Sequence, residues 1–174
     1  MAVLASETAS ATAGREGKAT SPDGKINLNL SPPGSNGPGT NPEQLFGAGY
    51  SACFGGAIKA AAGLEKIALN ANDIKVTATV NLNKDESGFF LDVTLNAELN
   101  GVDQTQAEAL VAKAHTICPY SKSTRGNIEV KLQANGNALQ QAAFQSTIFQ
   151  ISPYREISRL RQQAGEHFKP GAGQ

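Results

Sequence analysis

The sequence predicts an α+β domain on three observations. Four stretches alternate apolar and polar residues with period two, two stretches carry helix caps followed by helical apolar spacing, and Gly/Pro-rich or charged turns punctuate them. The 174 residues suffice for one core of sheet and helix. Residues 1–139 hold all of these elements, and residues 140–174 read as a C-terminal extension.

Taken in order, Ile26, Leu28 and Leu30 face one way on the first strand and Asn27 and Asn29 the other. The loop "LSPPGSNGPGT" leads to a helix in which Asn41 is the cap, Pro42 the first helical residue and Glu43 an acid in the first turn; it runs to about Gly63. Ile74, Val76, Ala78, Val80 and Leu82 form the apolar face of the next strand, and Leu91, Val93, Leu95, Ala97 and Leu99 that of its neighbour. The charged turn "KDESG" makes the two a hairpin. In "DQTQAEALVAKAHTI", Asp103 and Gln106 form a capping box, Ala107, Leu110, Val111, Ala114 and Ile117 share a stripe, and the helix stops before Pro119. Ile128, Val130 and Leu132 give the last strand. The extension from Gln140 has Phe144, Ile148 and Ile151 at helical spacing and ends in Gly and Pro, which suggests a docking helix followed by disorder.

Lys plus Arg and Asp plus Glu number 15 each, so the chain lacks the basic excess that marks a nucleic-acid or anionic-membrane partner. No apolar run approaches the roughly 18 residues of a membrane span. The N-terminal segment "MAVLASETASATAGREG" lacks the charged start and apolar run of a signal peptide. A cytoplasmic location is therefore expected, where a disulfide between Cys53 and Cys118 would be transient and catalytic. The extension carries four basic and two acidic residues, which leaves the remainder of this balanced chain at −2.

The first helix is unusually smooth. Gly47, Gly49, Gly55 and Gly56 each cost roughly 0.5–1 kcal/mol relative to alanine. Close approach by another helix, or by the twin helix of a dimer, would offset that cost. Cys53 lies within this stretch, either as a small core residue or as a reactive thiol.

Several motifs fail on context. "GAGYSA" sits on a helix instead of after a strand, which a dinucleotide fingerprint requires. "GYSAC" lacks the final glycine and the strand-to-helix turn of a nucleophile elbow, so Ser51 is not a candidate nucleophile. Cys53, Cys118, His115 and His167 lack paired metal-ligand spacing, so no metal site is expected, and His115 reads as a helix-surface residue. Thiol chemistry remains. A buried thiol needs a cation or a helix N-terminus to ionise, and Arg15 in "GREGK" can fork between a thiolate and a carboxylate.

The segments "GREGKATSPDGKINLNLSPP", "GTNPEQLFGAGYSACFGGAIK" and "CPYSKSTRGNIEVKL" resemble the organic hydroperoxide resistance proteins, a branch of the OsmC-like superfamily, over roughly Thr12 to Leu132. The resemblance implies an OsmC-like fold, with antiparallel sheets packed around a central Cys-bearing helix in an intertwined homodimer with two interface sites. It implies peroxidatic Cys53, resolving Cys118, and an Arg15–Glu43 network in which Arg15 stabilises the thiolate and Glu43 orients Arg15. It further implies organic hydroperoxides as substrates, no bound cofactor, and a dihydrolipoamide or lipoylated-protein reductant. Phe46, Phe54 and Ile117 are candidates for an apolar substrate lining, with core packing as their other role.

Spacing adds one constraint. Ten residues separate Glu43 from Cys53, about 15 Å along a continuous helix. Either the helix breaks, or the Arg15 and Glu43 that serve a given Cys53 come from the partner chain; the second is expected. The alternatives are a noncatalytic dimer that binds an apolar ligand and a peroxidase of the broader OsmC branch with another peroxide preference.

Overall fold

The longest helix among the described residues, α1 (Pro42–Leu64), is unbroken. The computed structural model describes residues 2–139; the expectations for residues 140–174 lie outside the described residues. The Gln44 amide donates to Asn41 Oδ1 at 2.8 Å, so the cap falls where the sequence puts it. Ahead of α1 come three short strands, β1 (Ser10–Thr12), β2 (Lys18–Thr20) and β3 (Asn27–Asn29), in an antiparallel sheet. After it come β4 (Ile74–Asp85), β5 (Gly88–Leu99), the helices α2 (Gln104–Ile117) and α3 (Pro119–Thr124), then β6 (Glu129–Ala134) and β7 (Asn137–Ala138).

The four-stranded sheet has the order β4-β5-β6-β7. Its hairpin pairs Ile74 with Leu99 at one end and Asp85 with Gly88 at the other. Gly88 has φ 123°, a conformation that favours glycine. Tyr50, Phe54 and Ile58 of α1, Val93 and Leu95 of β5, and Leu110 and Val111 of α2 are almost wholly withdrawn from solvent and form the core between helices and sheet.

The α+β class holds, and one expectation about the sheets is corrected: β6 runs parallel to β5, Val93 opposite Val130 and Leu95 opposite Leu132, so this sheet is mixed. The cause is the crossover through α2 and α3, which carries the chain back to the starting end of the sheet. Within the chain, the larger sheet covers α1. The strands of the small sheet, "SAT", "KAT" and "NLN", bury Ala19 alone, and Leu28 is exposed.

Within the chain, the glycines of α1 meet both a strand, β4, and another helix, α3. A Cβ on Gly47 would lie 3.4 Å from the Ala78 carbonyl oxygen, and one on Gly55 would lie 3.8 Å from Val76. A Cβ on Gly49 would press on the Tyr120 ring, 3.0 Å from its hydroxyl, while Gly56 faces open space. Within the chain, the helix is smooth so that β4 and Tyr120 can lie close against it.

Candidate active site

Cys53 lies midway along α1, and Cys118 occupies the joint between α2 and α3, the C-cap of one and the N-cap of the other. Hydrogen bonds on both sides fix this joint. The Cys118 amide donates to the Ala114 carbonyl and the Cys118 carbonyl accepts from the Lys122 amide, each at 2.9 Å, while Pro119 suits the first position of α3. Cys118 Sγ donates to Cys53 Sγ at 3.4 Å. Both are free thiols. A disulfide of about 2.05 Å would need the sulfurs to close by roughly 1.3 Å. Cys118 is fully buried and Cys53 partly so. Burial pushes the Cys53 thiol up from its ordinary pKa; the Tyr120 backbone N–H opposes this, and the hydrogen bond with Cys118 adds to it.

A second pair forms at the start of the helix. Arg15 sits in a single helical turn, Gly14–Glu16, between β1 and β2. The turn folds back so tightly that a Cβ on Gly17 would collide with the Thr12 carbonyl. Arg15 Nη1 donates to Glu43 Oε2 at 2.9 Å and Nη2 to Oε1 at 2.8 Å, a bidentate fork. These bonds hold the Glu43 carboxyl below the usual carboxylate range against the opposing effect of burial, and Glu43 in turn raises Arg15. The pair's contribution to stability is present above the ordinary carboxylate pKa and is lost as pH falls through the lowered value.

The chain thus brings the four residues together as two pairs, Cys53 with Cys118 and Arg15 with Glu43. Because α1 is continuous, the pairs are held about 15 Å apart along its axis, and Arg15 is not among the groups that act on the Cys53 thiol within the chain.

The three candidates for substrate lining part company. Phe54 is fully buried, edge-on to Tyr50 at 6.4 Å, and is a core residue. Phe46 is partly buried between Tyr50 and Tyr120, and Ile117 is exposed. The exposure of Ile117 corrects the expected stripe on α2. The last turn buries His115, four residues after Val111, and turns Ile117 outward. His115 is therefore not a surface residue. It packs 6.5 Å from Phe54, and burial, with the charge of Arg125, lowers its pKa to about 4. An open groove of about 840 Å³ runs between α1 and β4, with Glu43, Gly47, Ala48, Val76, Ala78 and Val80 on its walls. Among the described residues no cluster of three metal-ligating side chains occurs.

The sequence reading missed a hydroxyl cluster beside the thiols. Tyr50 Oη lies 2.9 Å from Ser121 Oγ and 3.2 Å from Thr124 Oγ1, and all three side chains are buried. An unpartnered buried hydroxyl costs about 1–3 kcal/mol, so these groups satisfy one another. Arg125 Nη2 donates to the His115 carbonyl at 2.8 Å and closes the end of α2. Spacing held the signal: Tyr50 lies one helical turn before Cys53, and Ser121 one turn after Cys118.

Residues 34–133 match the family model described as OsmC-like protein. The organic hydroperoxide resistance protein of Xanthomonas axonopodis pv. citri is 46% identical over 134 residues, 75% of this chain and 94% of that protein. The OhrA protein of Bacillus subtilis is 46% identical over 137 residues, covering 75% of this chain and 95% of that one. Among solved structures, an organic hydroperoxide resistance protein from Legionella pneumophila superposes with TM-score 0.71 at 47% identity, over 76% of this chain and 98% of that one. OhrB of Bacillus subtilis gives 0.71 at 42% identity, over 76% and 99%. With its two thiols in contact and its fold shared across the length of these relatives, the chain belongs to the OsmC-like family and to its organic hydroperoxide resistance branch.

Proposed function

We infer that the protein is a thiol peroxidase that reduces organic hydroperoxides to alcohols in defence against oxidative stress. The observation that carries this reading is the 3.4 Å contact between a partly exposed Cys53 and a buried Cys118. The relatives named for organic hydroperoxide resistance support the substrate class. Cys53 thiolate attacks the distal oxygen of R–O–O–H; the O–O bond breaks, the alcohol leaves with a proton, and Cys53 becomes a sulfenic acid. Cys118 then attacks that sulfur. The S–S bond forms, the S–O bond breaks, and water carries off the oxygen with the thiol proton. A dithiol such as dihydrolipoamide, free or on a lipoylated protein, returns both cysteines to thiols and leaves as its own disulfide.

This chemistry needs a Cys53 thiolate, which burial in the chain disfavours. A homodimer supplies the missing charge in this reading, with Arg15 of one protomer, held by its Glu43, facing Cys53 of its partner. The uncovered small sheet and the open groove beside Glu43 leave surface for that second protomer. With dihydrolipoamide as reductant, turnover of an alkyl hydroperoxide is expected to exceed that of hydrogen peroxide by at least about tenfold, the scale of discrimination that apolar contacts supply. Equal rates, or no consumption of either, would count against the substrate assignment. No helix among the described residues is long and apolar enough to cross a membrane.

A further inference from the structure

α1 and α3 meet at two points of matched spacing. Cys53 meets Cys118 through sulfur, and one turn away on each helix Tyr50 meets Ser121 through oxygen. Thr124 completes the second contact, and its Oγ1 also donates to the Ser121 carbonyl at 3.2 Å. Tyr50 and Ser121 have no exposed surface and Thr124 is 4% exposed. The Tyr120 ring lies over Gly49, 5.6 Å from the Tyr50 ring, so the whole face of α3 is pressed onto one stretch of α1.

Phenylalanine and alanine would fill this space without any need for partners. Three mutually satisfied hydroxyls are a costlier solution, and what they add is register, because the bonds form in only one placement of α3 on α1. We propose that Tyr50 is a positioning residue for the resolving step, which through Ser121 and Thr124 holds the α3 turn so that Cys118 stays within closing distance of Cys53. The inference rests on the proposed use of the Cys53–Cys118 pair.

In the reaction, the sulfenic acid on Cys53 has two fates. Attack by Cys118 forms the disulfide and releases water, whereas a second hydroperoxide transfers another oxygen to give a sulfinic acid, with loss of a second alcohol. The partition between them depends on how often Cys118 is in place. Displacing a reacting group by about 1 Å costs on the order of 10²-fold, so loosening α3 turns a peroxidase that recycles into one that inactivates itself.

The test measures ring closure apart from peroxide chemistry. Reduced wild type and Tyr50→Phe are each treated with oxidised dithiothreitol, and formation of the Cys53–Cys118 disulfide is followed by intact mass. Each rate is divided by the alkylation rate of Cys53 by iodoacetamide in the same variant, which reports that thiol's own reactivity. Tyr50→Phe is expected to lower this ratio about 10- to 100-fold, and to raise the sulfinic acid formed per hydroperoxide consumed. Thr124→Val, which keeps shape and removes one hydroxyl, should lower the ratio to a lesser degree and serves if Tyr50→Phe does not fold. The double variant Tyr50→Phe/Ser121→Ala leaves fewer unmatched hydroxyls and should regain melting temperature without regaining closure. A wild-type ratio in the folded single variants, or closure that recovers in step with melting temperature, would overturn the positioning role. Closure that falls as expected in a protein whose thiols ignore hydroperoxides would sink the peroxidase reading and leave the positioning role intact.

Discussion

Replacing Cys53 by serine is expected to lower alkyl hydroperoxide turnover by about 10³-fold or more, the scale seen when a catalytic nucleophile is removed. Replacing Cys118 by serine has a different outcome. The first hydroperoxide is still reduced, but the sulfenic acid has no internal partner, so one burst per chain is followed by turnover at least about tenfold slower and by sulfinic acid on Cys53. The proposed division of roles rests on burial. Cys118 has no surface through which a peroxide can reach it, whereas Cys53 is partly open, and the two sulfurs touch. Stopped-flow peroxide consumption and intact mass on the two variants separate the steps; equal, complete loss in both would contradict this division.

Replacing Arg15 by alanine is expected to slow the first step at pH 7 by about 100-fold, with much of the rate restored as the pH is raised. The sign follows from the burial of Cys53. Within the chain its thiol is pushed above its ordinary pKa, and a neighbouring cation must bring it down for the thiolate to be populated at neutral pH. Without the cation, each unit by which the thiol's pKa lies above the working pH costs tenfold in thiolate, a loss recovered as pH rises through that pKa. Arg15→Lys keeps the charge but loses the fork to Glu43, and should fall between. The pH–rate profile of the first step is the measurement, and a profile unmoved by Arg15→Ala would exclude the role. The continuous α1 makes the shared site testable as well: Cys53→Ser and Glu43→Ala chains, each inactive alone, should regain activity when mixed and allowed to exchange subunits. Verified heterodimers without recovery would place each Arg15 with its own chain's Cys53.

Where local rules govern, the sequence was legible in detail. The Asn41 cap, the Asp103–Gln106 box and the two-residue turn before Gly88 involve groups within a few residues of one another, and all stand where expected. Long-range choices were less legible. Nothing in the alternation of Ile128, Val130 and Leu132 distinguishes a parallel from an antiparallel neighbour, since both present the same faces. The glycines of α1 announced a close approach without naming the strand that makes it. On α2, the choice between His115 and Ile117 for burial depends on how far the helix has rotated by its last turn, which the packing of Phe54 and Arg125 decides. Of the site, the Arg15–Glu43 fork and the Cys53–Cys118 contact follow from the motifs that carry them. Tyr50, Ser121 and Thr124 passed unnoticed because hydroxyl residues acquire meaning only when the fold places them together.

The central claim is that Cys53 and Cys118 act on a hydroperoxide as one two-electron centre, and intact mass after one equivalent of an alkyl hydroperoxide tests it most directly. Wild type should lose two hydrogen atoms within the first turnover, with both thiols gone from a subsequent alkylation, and Cys118→Ser should instead gain one oxygen atom that a sulfenic-acid reagent captures. Thiols that remain fully alkylatable after exposure to the hydroperoxide would contradict it.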